Sequence, residues 1–474
     1  MFDILVSDIT RIVKAKEKRG KRNDQSYQDL TNAVRYLLKI LWEDSTSTPV
    51  RRSGFHFHKT YYSSTNRYTN HLGVAYRQVK QAYDTLIELG LIIETDEHSF
   101  SSTQPENNKL RLHIAAGELE QRLKGLDSIP ALYEPPNLDE ESIVLRLNKK
   151  LQPYDDDADT NLMRDNLKRI NKCLCRHWLD LNLPDANYPE LQRRLGEYDT
   201  PRNVNLARRT LARVFSDGEF NSYGRFFRGW WQELPNDETK GLAYRQFLTI
   251  DGKKTVEYDF SSIAPNMIYL MNGKVLGEDA YNRVYNGDHR DIVKTALSAM
   301  LMAKTELKNA PEDLQGDLKD ADLSWKDLKA RILKCHKVIE DQFFQGKGKY
   351  LQFEDSKIAE RVLLAFAKNN IPIYPVHDSF IGHHGYGSTG ELEEEMRKAF
   401  HESFKTDIPI KEDVILLIGK EKTEAEQKQD LELRTIDMSL EAIWKDAEDY
   451  SYYTAREQMW WANRSKHIKK VDQY

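Results

Sequence analysis

The chain has 474 residues, enough for two or three domains, each with its own core. Hydrophobic residues make up 39% and charged residues 31% of it; no run approaches the ~20 apolar residues that a membrane-spanning helix needs, so no membrane partner is expected. The net charge of −5 gives no global positive field, yet basic residues gather locally at Arg208-Arg209-Arg213 and Arg225-Arg228, as where cations are confined to a cleft.

The opening stretch MFDILVSDITRIVKAKEKRG carries its charge after its apolar residues and has no small-residue cleavage site, so it does not read as a secretion signal. Three cysteines, Cys173, Cys175 and Cys335, cannot build a disulfide framework, and their odd number points to a reducing, cytoplasmic setting. Cys173-x-Cys175 followed by His177 supplies too few ligands at the wrong spacing for zinc and reads as part of a helix face.

Residues 26–44 place apolar side chains at helical spacing. Two further helices are predicted over Tyr61–Leu72 and Val74–Leu89, joined at His71–Gly73. Val74, Val79, Tyr83, Leu86 and Leu89 form the inner face of the second; Arg77, Gln78, Lys80 and Gln81 form the outer one. Leu91–Glu94 and Lys109–Ile114 read as strands on either side of the polar loop HSFSSTQPENN. The ensemble resembles a winged helix-turn-helix, whose second helix enters the DNA major groove. The resemblance implies duplex-DNA contacts at Arg77, Gln78 and Lys80; such modules also dock proteins.

Pro130, Pro135-Pro136 and Asp155–Asp157 mark a looser connection, and residues 160–215 return to an Arg-rich helical periodicity. Phe247–Ile250 and Thr255–Asp259 form a predicted hairpin about the turn pair Asp251-Gly252, with Asp259 at a strand end just before the helical SSIAPNMIYLM. IPIYPVHDSFI at 371–381 has the length of a second hairpin, with Asp378 buried between apolar halves. A buried carboxylate is costly unless it is paired or holds a metal, and two aspartates on neighbouring hairpins suit a two-metal site. Between them, Arg290, Lys294, Ser298 and Met302 fall four apart on one helical face, where an Arg fork and a Lys charge can grip a triphosphate. A highly charged tail follows residue 418; its Trp444, Trp460 and Trp461 are expected to dock on the body or on a partner.

Taken together, VEYDFSSIAPNMIYL, Arg290-x3-Lys294 and VHDSF at 376–380 resemble the palm and fingers of family A DNA polymerases and the phage-type single-subunit RNA polymerases. GRFF at 224–227, the following WWQELP, Arg245, and the segment 352–371 agree in order. The resemblance covers roughly residues 220–405. It implies an α+β polymerase right hand: an antiparallel palm sheet with helical fingers and thumb, preceded by the winged helix-turn-helix. The expected divisions are 1–125, a helical thumb-like region 126–219, a palm 220–418 with fingers inserted at about 275–345, and a helical tail 419–474.

The resemblance also implies residue roles. Asp259 and Asp378, with the Phe260 carbonyl, would hold two Mg²⁺ ions, Mn²⁺ being the alternative. Arg290 and Lys294 would bind the nucleoside triphosphate, beside Ser298. Lys294 or His377 would protonate the leaving pyrophosphate. Arg225, Gln232, Arg245 and Gln352 would contact the DNA template or primer, and Asp355 and Ser356 would line the cleft near the growing end. Trp230 and Trp231 are read as core. Where the family excludes a 2′-hydroxyl with a bulky side chain, this sequence has Ala264, which favours ribonucleotides. The expected product is RNA or a primer, made for a phage or mobile element. The alternatives are a replicase using dNTPs, a DNA-binding initiator with an inactive palm, and a metal-dependent nuclease.

Overall fold

A computed structural model describes residues 1–16, 24–100, 109–126, 138–198, 202–236, 241–385, 390–413 and 449–473. It is a mixed α+β protein whose sheets are mainly antiparallel, with one hydrophobic core in the first quarter of the chain and a larger one spanning Ile143–Ile408.

The first unit contains α1 (Phe2–Ala15), α2 (Asp24–Ser45), β1 (Ser53–Gly54), α3 (Tyr76–Glu88), β2 (Ile92–Phe100), β3 (Lys109–Ala115) and α4 (Gly117–Lys124). Leu30, Val34, Leu37, Leu38 and Leu41 give α2 a continuous apolar stripe. Val79, Tyr83 and Leu86 of α3 close over the same core, with Val74 and Leu89 only partly buried. The antiparallel sheet runs β1-β3-β2. The helix expected over 61–72 is corrected to two short 3-10 turns, Lys59–Tyr62 and Asn70–Leu72. The reason is local: Asn66 Nδ2 donates to the Thr60 carbonyl at 3.2 Å, and Asn66 Oδ1 accepts from Tyr68 N at 3.2 Å. Such side-chain bonds compete with helical ones.

Next come β4 (Ile143–Leu147), β5 (Lys150–Leu151), α5 (Ala158–Arg176), β6 (Leu179–Leu181), α6 (Tyr188–Gly196), β7 (Ala212–Phe215) and β8 (Tyr223–Phe227). A four-stranded sheet runs β5-β4-β7-β8, with β4 and β7 parallel. The expectation of a helical region over 126–219 is therefore corrected, and the β7–β8 pair straddles the division expected at residue 219. Strands of four or five residues are too short to show a period against Arg-rich surroundings. Arg67 anchors the first unit here, donating to Glu141 at 3.0 Å and Asp156 at 2.9 Å.

The central sheet combines β6 with β9 (Leu248–Ile250), β10 (Lys253–Phe260), β11 (Tyr374–Val376), β12 (Ser379–His383) and β13 (Ile410–Asp413). Its order is β11-β12-β10-β9-β6, with β13 also on β10. Around it lie α7 (Ile263–Met271), α8 (Asn282–Tyr285), α9 (Arg290–Met302), α10 (Glu312–Asp320), α11 (Trp325–Cys335), α12 (Gly348–Ala367) and α13 (Glu391–Phe404). α12 approaches β8 at Gly224, where a Cβ would lie 3.0 Å from Ser356 Oγ and 3.1 Å from the Phe353 ring. α14 (Ser451–Asp472) docks on the body: Trp460 is buried edge-on to Trp178 and Arg456 Nε donates to Asp180 at 2.8 Å. Trp461 is exposed; Trp444 lies outside the described residues. Among the described residues no helix is long and apolar enough to cross a membrane.

Candidate active site

The turn at Asp251-Gly252 has positive φ at both residues, 50° and 76°, the geometry that two-residue hairpins favour. It sends β10 through the middle of the sheet. Across from it, Val376 pairs with Ser379, which leaves His377-Asp378 as a two-residue turn. β12 lies antiparallel to β10 with Asp259 opposite Ser379, next to Asp378. Directly opposed residues are about 5 Å apart, so this register brings the two aspartates to adjacent ends of neighbouring strands. His377 carries φ 60°, an uncommon conformation of the kind found where backbone strain serves a site.

Asp378 is corrected from the buried position expected of it. Its side chain is 31% exposed, because it lies in the turn rather than within a strand. The buried carboxylate is instead Glu257, which shares a face of β10 with Asp259. It accepts from Ser379 Oγ and pairs with Arg245. The sequence carried this signal, since Glu257 and Asp259 are two apart in a strand.

Arg225, on β8, faces both sides of the site. Its Nε lies 3.1 Å and 3.3 Å from the carboxylate oxygens of Asp355, and its Nη2 is 3.7 Å from Asp378. Burial pushes Asp355 up to about 7 even though Arg225 opposes the shift, and Asp378 adds to it. Burial works against the charge on Arg225, but the two carboxylates outweigh it and hold its pKa above the ordinary value. Beneath them Arg213 is fully buried, donating to Gly224 O at 3.0 Å, Ser356 Oγ at 2.9 Å and Glu360 at 3.1 Å.

The expected stripe forms one face of α9, with Lys294, Ser298 and Met302 exposed. Arg290 is held back toward the carboxylates: it donates to Asp279 Oδ2 at 2.8 Å and lies over the Tyr281 ring at 5.1 Å. Asp279 Oδ1 accepts from the backbone of Tyr281 at 2.9 Å and Asn282 at 3.0 Å, fixing the start of α8. Tyr281 is buried, and after burial itself the nearby Asp378 is the largest influence raising its pKa. Asp279 thus ties the stripe to the segment just after Asp259, since Ser262 Oγ lies 3.5 Å from its Oδ2, a role with no periodic signal to betray it in the sequence. Ala264 is half-buried in the first turn of α7, directly after β10.

Several of the residues expected at the nucleic acid make internal bonds. Arg225 and Arg245 are engaged with Asp355 and Glu257. Gln232 spends its amide on backbone: Nε2 donates to Phe226 O at 2.9 Å and Pro375 O at 3.1 Å, and Oε1 accepts from Gly229 N at 3.1 Å. These contacts join β8, β10 and the strand before the Asp378 turn to the segments around them. Burial, then Arg225, lowers the pKa of His377 to about 4. Gln352 stands in the second turn of α12 with a buried Oε1 that has no hydrogen-bond partner among the described residues. Trp230 and Trp231 are core, Trp231 Nε1 donating to Pro375 O at 2.9 Å just ahead of the Asp378 turn. On α3, Arg77 is exposed, Gln78 is half-buried and Lys80 is paired with Asp84.

Among the described residues no group of three or more His, Cys, Asp and Glu side chains is arranged to hold a metal. The donor set at the site is two carboxylates, Asp259 and Asp378, with Asp378 open to solvent. That chemistry fits Mg²⁺, which commonly takes one or two carboxylates and completes its shell with water and substrate phosphates.

No family model matches the chain, and no curated protein matches it. Among solved structures, the POL domain of Pol1 from M. smegmatis, in complex with DNA primer-template and dNTP, is similar over 48% of this chain and 51% of that one. The identity is 12% and the TM-score 0.31. The chain spans about half the length of that structure.

Proposed function

We propose that the chain is a template-directed nucleotidyltransferase that adds nucleotides to a 3′ end. The observation that carries the reading is the β10–β12 register, which opposes Asp259 to Ser379, the neighbour of Asp378, with the Arg290 face of α9 tied to the same strand end through Asp279 and Ser262. In this reading the central sheet is the palm and α8–α11 are the fingers. The first unit is a winged-helix-like DNA-binding module.

Asp259, Asp378 and the Phe260 carbonyl would hold two Mg²⁺ ions. When bound, such a pair lowers the barrier by activating the attacking oxygen and neutralising the leaving group. Arg290 and Lys294 bind the triphosphate of the incoming nucleotide. Lys294, exposed on the same face of α9 as Arg290, gives the leaving pyrophosphate its proton. Arg225, held by Asp355, stands 3.7 Å from Asp378 and orients it. Ala264 leaves room for a 2′-hydroxyl, so ribonucleotides are accepted.

Primer extension on a DNA template with Mg²⁺ and either rNTPs or dNTPs tests the proposal. Extension that disappears in Asp259→Asn and Asp378→Asn is expected. No extension with either nucleotide set, or extension indifferent to both substitutions, sinks the enzyme class. Ala264→Glu should cut ribonucleotide use more than deoxyribonucleotide use; a wild-type preference for dNTPs makes the protein a DNA polymerase instead.

A further inference from the structure

Hydrogen bonds traced outward from the Asp378 turn lead to the junction with the first unit. Pro375 O accepts from Trp231 and Gln232, and the neighbouring Trp230 N donates to Arg208 O at 3.0 Å. Val204 and Thr48 exchange backbone bonds at 2.8 Å and 3.0 Å, and Arg51 Nη1 reaches Asn203 Oδ1 at 3.5 Å. A short, bonded path therefore joins the site to residues 48–51.

Arginines line this path. Arg51 and Arg208 are exposed, and the Arg202 side chain is 36% exposed. Partial desolvation chiefly lowers the pKa of Arg51, and the proximity of Arg208 lowers it further. Arg202 lies over the Tyr198 ring at 3.8 Å. The acidic groups facing them are Glu233, 3.9 Å from Arg202, and the largely buried Asp44. Three like charges outnumber these two, an arrangement that a polyanion relieves. Guanidinium groups beside an aromatic ring are also what a single strand uses, phosphates on the cations and bases on the ring.

We propose that Arg51, Arg202 and Arg208 form the track for the phosphate backbone of one nucleic-acid strand, running from the first unit to the Asp378 turn. The identity of that strand as template rests on the nucleotidyltransferase reading; the track itself does not. It replaces the contacts expected of Arg225 and Arg245, whose charges are used inside.

The test is anisotropy of a labelled DNA strand of about 20 nucleotides with the full chain, in EDTA, across roughly 50–300 mM NaCl. Arg51→Gln/Arg202→Gln/Arg208→Gln should bind about tenfold more weakly, and its salt slope should shrink by about 2, at ~0.7 per phosphate contact. Should the triple variant fail to fold, Arg208→Gln alone should still reduce the slope by ~0.7. A wild-type slope in the folded variants, or weakening confined to duplex DNA, overturns the track. A wild-type chain that extends no primer yet shows the arginine-dependent slope would keep the track and discard the polymerase.

Discussion

Asp355→Asn separates stability from function at the candidate site. Asp355 is 4% exposed, and its pKa is raised from 3.8 to about 7, chiefly by burial. The sign follows from linkage. The folded state binds the proton more tightly than the unfolded state, so stability falls as pH rises from 3.8 to about 7 and stays low above that. Roughly three pKa units at ~1.4 kcal/mol each set a ceiling of about 4 kcal/mol. The asparagine amide must lie against Arg225, which reduces the gain to ~1–3 kcal/mol. Asp355→Asn is therefore expected to be more stable than the wild type above about pH 7, with the gap closing near pH 4. Activity should move the other way. Arg225 is 3.7 Å from Asp378, an attraction of about 4 kcal/mol at an effective dielectric of ~20, and without Asp355 it turns fully to Asp378. A displacement of ~1 Å there costs about a hundredfold in rate. Urea unfolding followed by tryptophan fluorescence across pH, with primer extension alongside, measures both effects. A variant less stable than wild type at about pH 8 refutes the reasoning, because Arg225 would then need Asp355 as its counter-ion.

Three further perturbations have defined outcomes. His336 is fully buried between the Ala280 carbonyl and the Tyr269 hydroxyl, both at 3.0 Å, and burial lowers its pKa from 6.5 to about 4. Its contribution is lost as pH falls from 6.5 toward 4, so His336→Gln should flatten the acid limb of the stability–pH curve; an unchanged limb refutes this. In Gly229→Ala the new Cβ would stand 2.4 Å from the Trp231 ring, so urea melts should show a loss of ~1–3 kcal/mol from overpacking. The Pro375 turn should shift with it, and wild-type extension activity would show that Trp231 does not set that turn. Arg456→Met leaves Asp180 buried without its cation. A loss of ~3–5 kcal/mol is expected, with the C-terminal helix becoming protease-sensitive and protection returning in Arg456→Met/Asp180→Leu.

The sequence by itself determined the features that depend on near neighbours. Asp251-Gly252 specifies the hairpin turn that aims β10, because both residues tolerate positive φ. The four-residue spacing of Arg290, Lys294 and Ser298 specifies one face of α9, because a helix repeats every 3.6 residues. The 59–72 segment was legible in principle too, since its serines and asparagine favour local bonds over a helix. Only the tertiary structure decided which cations are engaged inside the site. Arg225, Arg245 and Arg290 look alike in sequence to Arg51, Arg202 and Arg208, yet the first three meet Asp355, Glu257 and Asp279 from distant segments. The β10–β12 register likewise had to form before Asp378 stood beside Asp259. Pairing between segments far apart in the chain is set by packing of the whole core, and no local period encodes it.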